Sequence, residues 1–268
     1  MKIAFLGGGN MAAALIGGLL AKGTEARSIA VAEVNPAARE RLGARYPVHI
    51  AAAPDAAMQR SDVLVIAVKP QDAKAALASI SIGKHLVISI AAGVTLDALS
   101  RWLGGHRKLV RCMPNTPALI GAGIAALYAL PEVSADERKN AESILGAVGE
   151  VVWVAQERLL DPVTAVSASG PAYVFWFIEQ LAESAEKLGL PPEISRKLAL
   201  HTVLGAARLA ASSTESPASL RKNVTSKGGT TEAALKVFDD EKLAERFARA
   251  VEAASRRATE LGTELGKD

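Results

Sequence analysis

Apolar residues in the first half of the chain fall into short, nearly continuous runs. Val63-Leu64-Val65-Ile66-Ala67-Val68 is apolar at every position, and Lys2 to Leu6, Ser28 to Ala32, His85 to Ile90, Lys108 to Cys112 and Ala122 to Tyr128 have the same β-rich character. Runs this short, bounded by Gly, Pro, Asn or Lys, predict strands. A strand apolar on both of its alternating faces must be covered on both sides, as in a parallel sheet flanked by helices. Between the runs, Met11 to Ala21, Pro36 to Ala44, Gln71 to Ala78 and Leu96 to Leu103 carry apolar residues at helical spacing. Strand and helix in alternation require crossover connections, so residues 1–155 are expected to form a Rossmann-type, doubly wound α/β domain.

Past residue 155 the β-branched runs give way to Ala/Leu/Glu-rich stretches of helical period. Leu159 to Lys187, Pro192 to Ser212, Ala218 to Lys222, Thr231 to Phe238 and Glu241 to Glu264 are predicted helices, making residues 156–268 an all-α domain. Phe175, Trp176, Ile178 and Leu181 stand close together among few charges, so much of that helix's circumference needs cover. A small helical domain supplies too little cover alone. The expectation is a homodimer with intertwined helical domains, the alternative being an apolar helix buried within one chain.

Composition narrows the function classes. The chain has 268 residues, half of them apolar, enough for two folded domains. Its net charge of +3 comes without any Lys/Arg block, so nucleic acid is not an expected partner. No apolar run approaches the ~20 residues of a membrane-spanning helix. The single cysteine, Cys112, and an opening with no signal-peptide layout give a cytoplasmic expectation. Four scattered histidines, none with a second ligand at metal-binding spacing, argue against a metal site.

Chemistry enters with Gly7-Gly8-Gly9-Asn10-Met11-Ala12, placed after the first strand and opening the first helix. The spacing fits G-x-G-x-x-A: Gly7 for the tight turn, Gly9 for close approach to a pyrophosphate, Ala12 for helix-on-strand packing. Glu33, at the end of the second strand, is either a ribose 2′-hydroxyl partner or a solvated carboxylate. An acid there favours NADH, whereas Arg39 and Arg41 nearby keep a 2′-phosphate, and hence NADPH, in play. Val68-Lys69-Pro70, Ala91-Ala92 and Asn115 follow later strands, either at the strand ends where α/β proteins collect ligands or as plain loop punctuation. In the helical half, Asn223-Val224-Thr225-Ser226-Lys227-Gly228-Gly229-Thr230-Thr231-Glu232 reads either as a carboxylate-binding nest or as a glycine C-cap followed by a Ser/Thr N-cap.

Taken in order, Gly7 to Ala12, Val68-Lys69-Pro70-Gln71, Met113-Pro114-Asn115-Thr116-Pro117, Ser167 to Tyr173 and Val224 to Thr231 resemble the pyrroline-5-carboxylate reductases over nearly the whole chain. The resemblance implies an NADPH- or NADH-dependent enzyme that delivers hydride to the imine carbon of 1-pyrroline-5-carboxylate, giving L-proline. It implies a homodimer, or a larger assembly such as a decamer of dimers, in which the partner completes the active site. Ser226, Gly228, Gly229, Thr230 and Thr231 match positions that hold the substrate, with Thr231 at the ring nitrogen as the one catalytic assignment. Glu157 and Glu215 match acidic positions lining that pocket. Gly7, Gly8, Gly9, Asn10, Met11, Glu33, Asn35, Val68, Lys69, Pro70, Ala91, Ala92, Asn115 and Asn223 are the expected cofactor contacts.

Three positions depart from the family pattern: Lys227 in place of proline, Ala168 in place of glycine, and Ala53-Pro54 where an asparagine commonly touches the cofactor. None removes a reacting group. Among rivals, a β-hydroxyacid dehydrogenase would need a lysine and an asparagine below the Ser-Gly-Pro segment, and Tyr173 to Ile178 offers neither. A non-catalytic NAD(P) sensor would have no need of the intact Ser226, Gly228, Gly229 and Thr231.

Overall fold

A computed structural model describes residues 1–267. Its contacts divide the chain into two compact units, residues 1–169 with 253–267, and residues 170–252.

In the first unit the strands are β1 (Ile3–Leu6), β2 (Ile29–Ala32), β3 (His49–Ala51), β4 (Val63–Ile66), β5 (Leu86–Ser89), β6 (Leu109–Met113), β7 (Gly123–Ala129) and β8 (Gly149–Trp153). They lie in one sheet of order β3-β2-β1-β4-β5-β6-β7-β8. Only the β6–β7 contact is antiparallel. Helices α1 (Asn10–Ala21), α2 (Pro36–Arg45), α3 (Ala56–Gln59), α4 (Ala73–Leu77), α5 (Leu96–Trp102) and α6 (Ala135–Leu145) join the strands. Alternate residues feed two cores. Ile3, Phe5, Val63 and Val65 join Leu15 and Ile16 on one face, while Ala4, Leu6, Leu64 and Ile66 join Met58, Leu77 and Leu96 on the other. The wholly apolar strands are therefore shielded on both sides, as their composition requires. The order of winding reverses between the parallel strands β1 and β4, whose carboxyl ends open the crevice where doubly wound folds take ligands.

The expected single helix from Leu159 to Lys187 is instead three segments: α7 (Leu160–Val163), a π-helical turn (Thr164–Ala168) and α8 (Gly170–Lys187). Pro171, which has no N–H, marks the start of the new helix. The Thr164 and Ser167 hydroxyls donate back to the Leu160 and Val163 carbonyls, loosening the ladder just before it. β3, β8 and α6, which the apolar pattern did not predict, are also present.

The second unit is helical: α8, α9 (Pro192–Ser212), α10 (Pro217–Asn223), α11 (Thr230–Asp240) and the first part of α12 (Leu243–Leu265). Phe175 and Trp176 on α8 are 65% and 59% exposed in the single chain. The cover that their sequence demands does not come from this unit alone.

Candidate active site

The glycine turn is built by what surrounds it. Gly7 has φ +102°, and a Cβ there would lie 2.6 Å from the Ala67 carbonyl oxygen of the β4 exit. Its N–H donates to the Ala32 carbonyl at 2.8 Å, which ties the turn to β2. Gly9 is the opposite case: an added Cβ would meet nothing within 4 Å, so this glycine keeps space open on the solvent side. It caps α1 without a side-chain bond, and no acidic residue stands in the first turn. The positive end of the helix dipole thus faces open space, which suits a pyrophosphate.

Glu33 is bonded rather than free. Its two oxygens accept the Gly8 and Asn35 N–H groups, each at 2.7 Å, so the carboxylate clips the glycine turn to the end of β2. Arg39 donates to the Glu33 and Val34 carbonyls, and the Asn35 side chain caps α2. Val68, Lys69 and Pro70 follow β4; the Ala91 N–H, after β5, donates to the Ser89 hydroxyl. The Asn115 amide is held at both ends, accepting the Ile124 N–H at 3.0 Å and donating to the Ser167 carbonyl at 3.2 Å. All the cofactor residues expected in the first unit therefore collect at the carboxyl ends of five neighbouring strands, β2-β1-β4-β5-β6.

Glu157 belongs to a different construction. One of its oxygens accepts both the Leu96 N–H at 2.8 Å, at the start of α5, and Arg111 Nη1 at 3.0 Å. Arg111, only 6% exposed on β6, also reaches Asp161 at 3.5 Å, and Asp161 accepts the Thr259 hydroxyl from α12. A buried guanidinium thus joins β6, the segment before α7, and α12. The apolar reading passed over Arg111 and Asp161, although a lone arginine inside the run Leu109 to Cys112 was the available signal, since buried charge requires a partner. Cys112, beside it, is no nucleophile: burial pushes its thiol far above the ordinary range. Among the described residues no cluster of His, Cys, Asp or Glu could hold a metal ion.

The second unit holds the remaining predicted residues together. Gly228 has φ +72°, a left-handed turn, and Gly229 caps α11. A Cβ on Gly229 would fall 2.5 Å from Ser226 Oγ and 3.0 Å from the Ser226 carbonyl oxygen, so the serine folds back over the glycine. The Gly229 N–H bonds the Ser226 carbonyl. Neither the Ser226, Thr230 and Thr231 hydroxyls nor the Thr230 and Thr231 N–H groups have a partner among the described residues, leaving a cluster of free donors at the amino end of α11. Asn223 donates to both oxygens of Glu215, at 3.1 and 3.4 Å. Both residues of that pair lie in the second unit. Also in the loop, Glu232, which the sequence reading did not single out, accepts the Gly228 N–H at 2.7 Å.

Comparison with known proteins places these features in one family. A family model described as pyrroline-5-carboxylate reductase dimerisation matches residues 157–261, and one described as NADP oxidoreductase, coenzyme F420-dependent, matches residues 2–93. The pyrroline-5-carboxylate reductase of Pseudomonas aeruginosa is 44% identical, the match covering 99% of this chain and 98% of that protein. The Synechocystis enzyme of the same name is 43% identical, with 98% of each covered. Among solved structures, a pyrroline-5-carboxylate reductase from Coxiella burnetii superposes with a TM-score of 0.91 at 42% identity, covering 97% of this chain and 98% of that one. The Plasmodium falciparum pyrroline carboxylate reductase, solved with NADP bound, gives 0.85 at 29% identity with 98% of each chain covered. A glycine turn at the switch point of a doubly wound sheet, a helical unit with a Ser-x-Gly-Gly-Thr-Thr loop, and relatives alike over almost their full length lead to one conclusion: this chain belongs to the pyrroline-5-carboxylate reductase family.

Proposed function

We propose that the chain reduces 1-pyrroline-5-carboxylate to L-proline with NADPH or NADH, and that the Ser226–Thr231 loop binds the substrate. The carrying observation is the set of unpartnered hydroxyl and N–H donors at the start of α11. Those groups suit a small imino acid, whose carboxylate needs several donors and whose ring nitrogen needs one more. In this reading Gly7, Gly8, Gly9, Asn10 and Met11 hold the dinucleotide phosphates, Glu33 and Asn35 border its ribose, and Val68, Lys69, Pro70, Ala91, Ala92 and Asn115 wall the groove. Asn223 contacts the cofactor, and Glu215, which accepts its amide, lines the substrate pocket. The Arg111 and Leu96 bonds of Glu157 support a role in holding the fold around the site rather than touching the imine.

When bound, the reduced dinucleotide supplies the hydride. The protein's share is alignment, worth roughly 7–11 kcal/mol when two reactants are held in near-attack geometry. Thr231 orients the imine nitrogen and fixes where its proton sits; a threonine hydroxyl is too weak an acid to be the proton's source. The assembly is a homodimer, from which a larger form such as a decamer of dimers could be built, and the compartment is the cytoplasm. No helix among the described residues is long and apolar enough to cross a membrane.

Thr231→Ala tests the assignment. Turnover with 1-pyrroline-5-carboxylate should fall on the order of 10- to 100-fold, while the dissociation constant for NADPH, read by fluorescence titration, stays unchanged. Undiminished turnover would remove Thr231 from the reaction.

A further inference from the structure

The nest at the start of α11 already holds a carboxylate, and it is the protein's own. Glu232 stands at the third position of the helix, where an acidic side chain ordinarily reaches back to the N–H of the capping residue. Here the Gly229 N–H is taken by the Ser226 carbonyl. The Glu232 side chain reaches one residue further and accepts the Gly228 N–H at 2.7 Å. That bond is available because Gly228 has φ +72°, which turns its N–H in toward the helix end. Both residues are exposed, so nothing buried locks the contact shut.

We propose that Glu232 is an internal competitor for the substrate carboxylate: it occupies the Gly228 N–H in the free enzyme and must release it when the imino acid docks. The inference rests on the reading of the Ser226–Thr231 loop as the carboxylate site. One N–H cannot serve two carboxylates at full strength, and two like charges at one helix end repel. The closed arrangement therefore withholds a fraction of the enzyme from substrate, and apparent affinity drops by that fraction. Glu232 is thus a positioning residue that sets KM and leaves the hydride step untouched.

The test compares Glu232→Ala, Glu232→Asp and Ser226→Ala in the full-length enzyme. Glu232→Ala should lower KM for 1-pyrroline-5-carboxylate about three- to tenfold with kcat unchanged. Glu232→Asp keeps the charge but is one methylene too short for Gly228, and should lower KM as well. With 1-pyrroline, the same ring without its carboxylate, kcat/KM should be equal in wild type and Glu232→Ala, which separates competition from a general change in the loop. An Asp variant behaving as wild type beside a lowered KM in the Ala variant would mean charge repulsion at a distance and overturn the proposal. An unchanged or raised KM in Glu232→Ala, with KM raised by Ser226→Ala, would overturn it while leaving the carboxylate site in place. If neither Ser226→Ala nor Glu232→Ala alters KM, the carboxylate site itself is misassigned.

Discussion

Gly7→Ala is expected to weaken NADPH binding by at least about 100-fold, close to 3 kcal/mol, and to lower the melting temperature as well. Two costs combine. A side chain at φ +102° is strained by about 1–3 kcal/mol, and its Cβ would sit 2.6 Å from the Ala67 carbonyl oxygen, a backbone atom that cannot swing aside. Relief requires the β1 turn to move away from β4, and the N–H groups offered to the pyrophosphate move with it. Gly9→Ala is the informative partner. Gly9 has φ −70° and open space where its Cβ would go, so the chain itself should tolerate alanine. Only an approaching ligand would feel the methyl group. Titration of NADPH fluorescence with parallel thermal unfolding should show both quantities reduced in Gly7→Ala and affinity alone reduced in Gly9→Ala. Undisturbed affinity in Gly9→Ala would place the pyrophosphate elsewhere.

Arg111→Met should be the most destabilising single change to a charged side chain. The guanidinium is buried and bonds both Glu157 and Asp161, and removing it leaves each carboxylate without its ion-pair partner. Breaking a buried pair in this way costs about 3–5 kcal/mol. Glu157 and Asp161 retain partial access to water, which puts the expectation at the lower end of that range. For a chain of this size the melting temperature should drop by roughly 5–12 °C. The cause can be isolated by neutralising the stranded acids. In a triple variant carrying Glu157→Gln and Asp161→Asn as well, the amide oxygens can still accept the Leu96 N–H and the Thr259 hydroxyl, so a good part of the loss should return. A triple variant no more stable than Arg111→Met would show that the arginine acts through packing instead.

Much of the fold was legible because the strongest signals were also the most local. β1, β2 and β4 are apolar throughout, and such strands can only be interior. Gly7 to Ala12 announced a turn whose backbone geometry permits little else. β3 escaped because His49-Ile50-Ala51 is too short and mixed to carry a period, and α6 because charges dominate its length. Yet Ser134 and Glu137 form a full capping box at the start of α6, a signal readable three residues apart in the sequence. The site was legible as residue types and illegible as connections. Glu33 reads equally as a ribose ligand or a surface acid, and the structure gives it a third task, clipping Gly8 to the end of β2. Glu157 and Arg111 are 46 residues apart, and no local pattern links them. Glu232 was given no role from the sequence; the left-handed turn at Gly228 brings an N–H within its reach.

An open sheet must stop somewhere, and the bare rims are where foreign chains can be recruited. One rim here is β3, three residues or about 10 Å of ladder, with an exposed His49 engaged by Asp55 at 2.6 Å. The other is β8, where Glu150 stands outward and Trp153 is covered by the Arg138 guanidinium. Neither offers a long apolar template. The sticky strands β1, β4 and β5 each have a neighbour on both sides, so the segments that bring the phosphate turn into place are also those least able to seed aggregation once folding is complete.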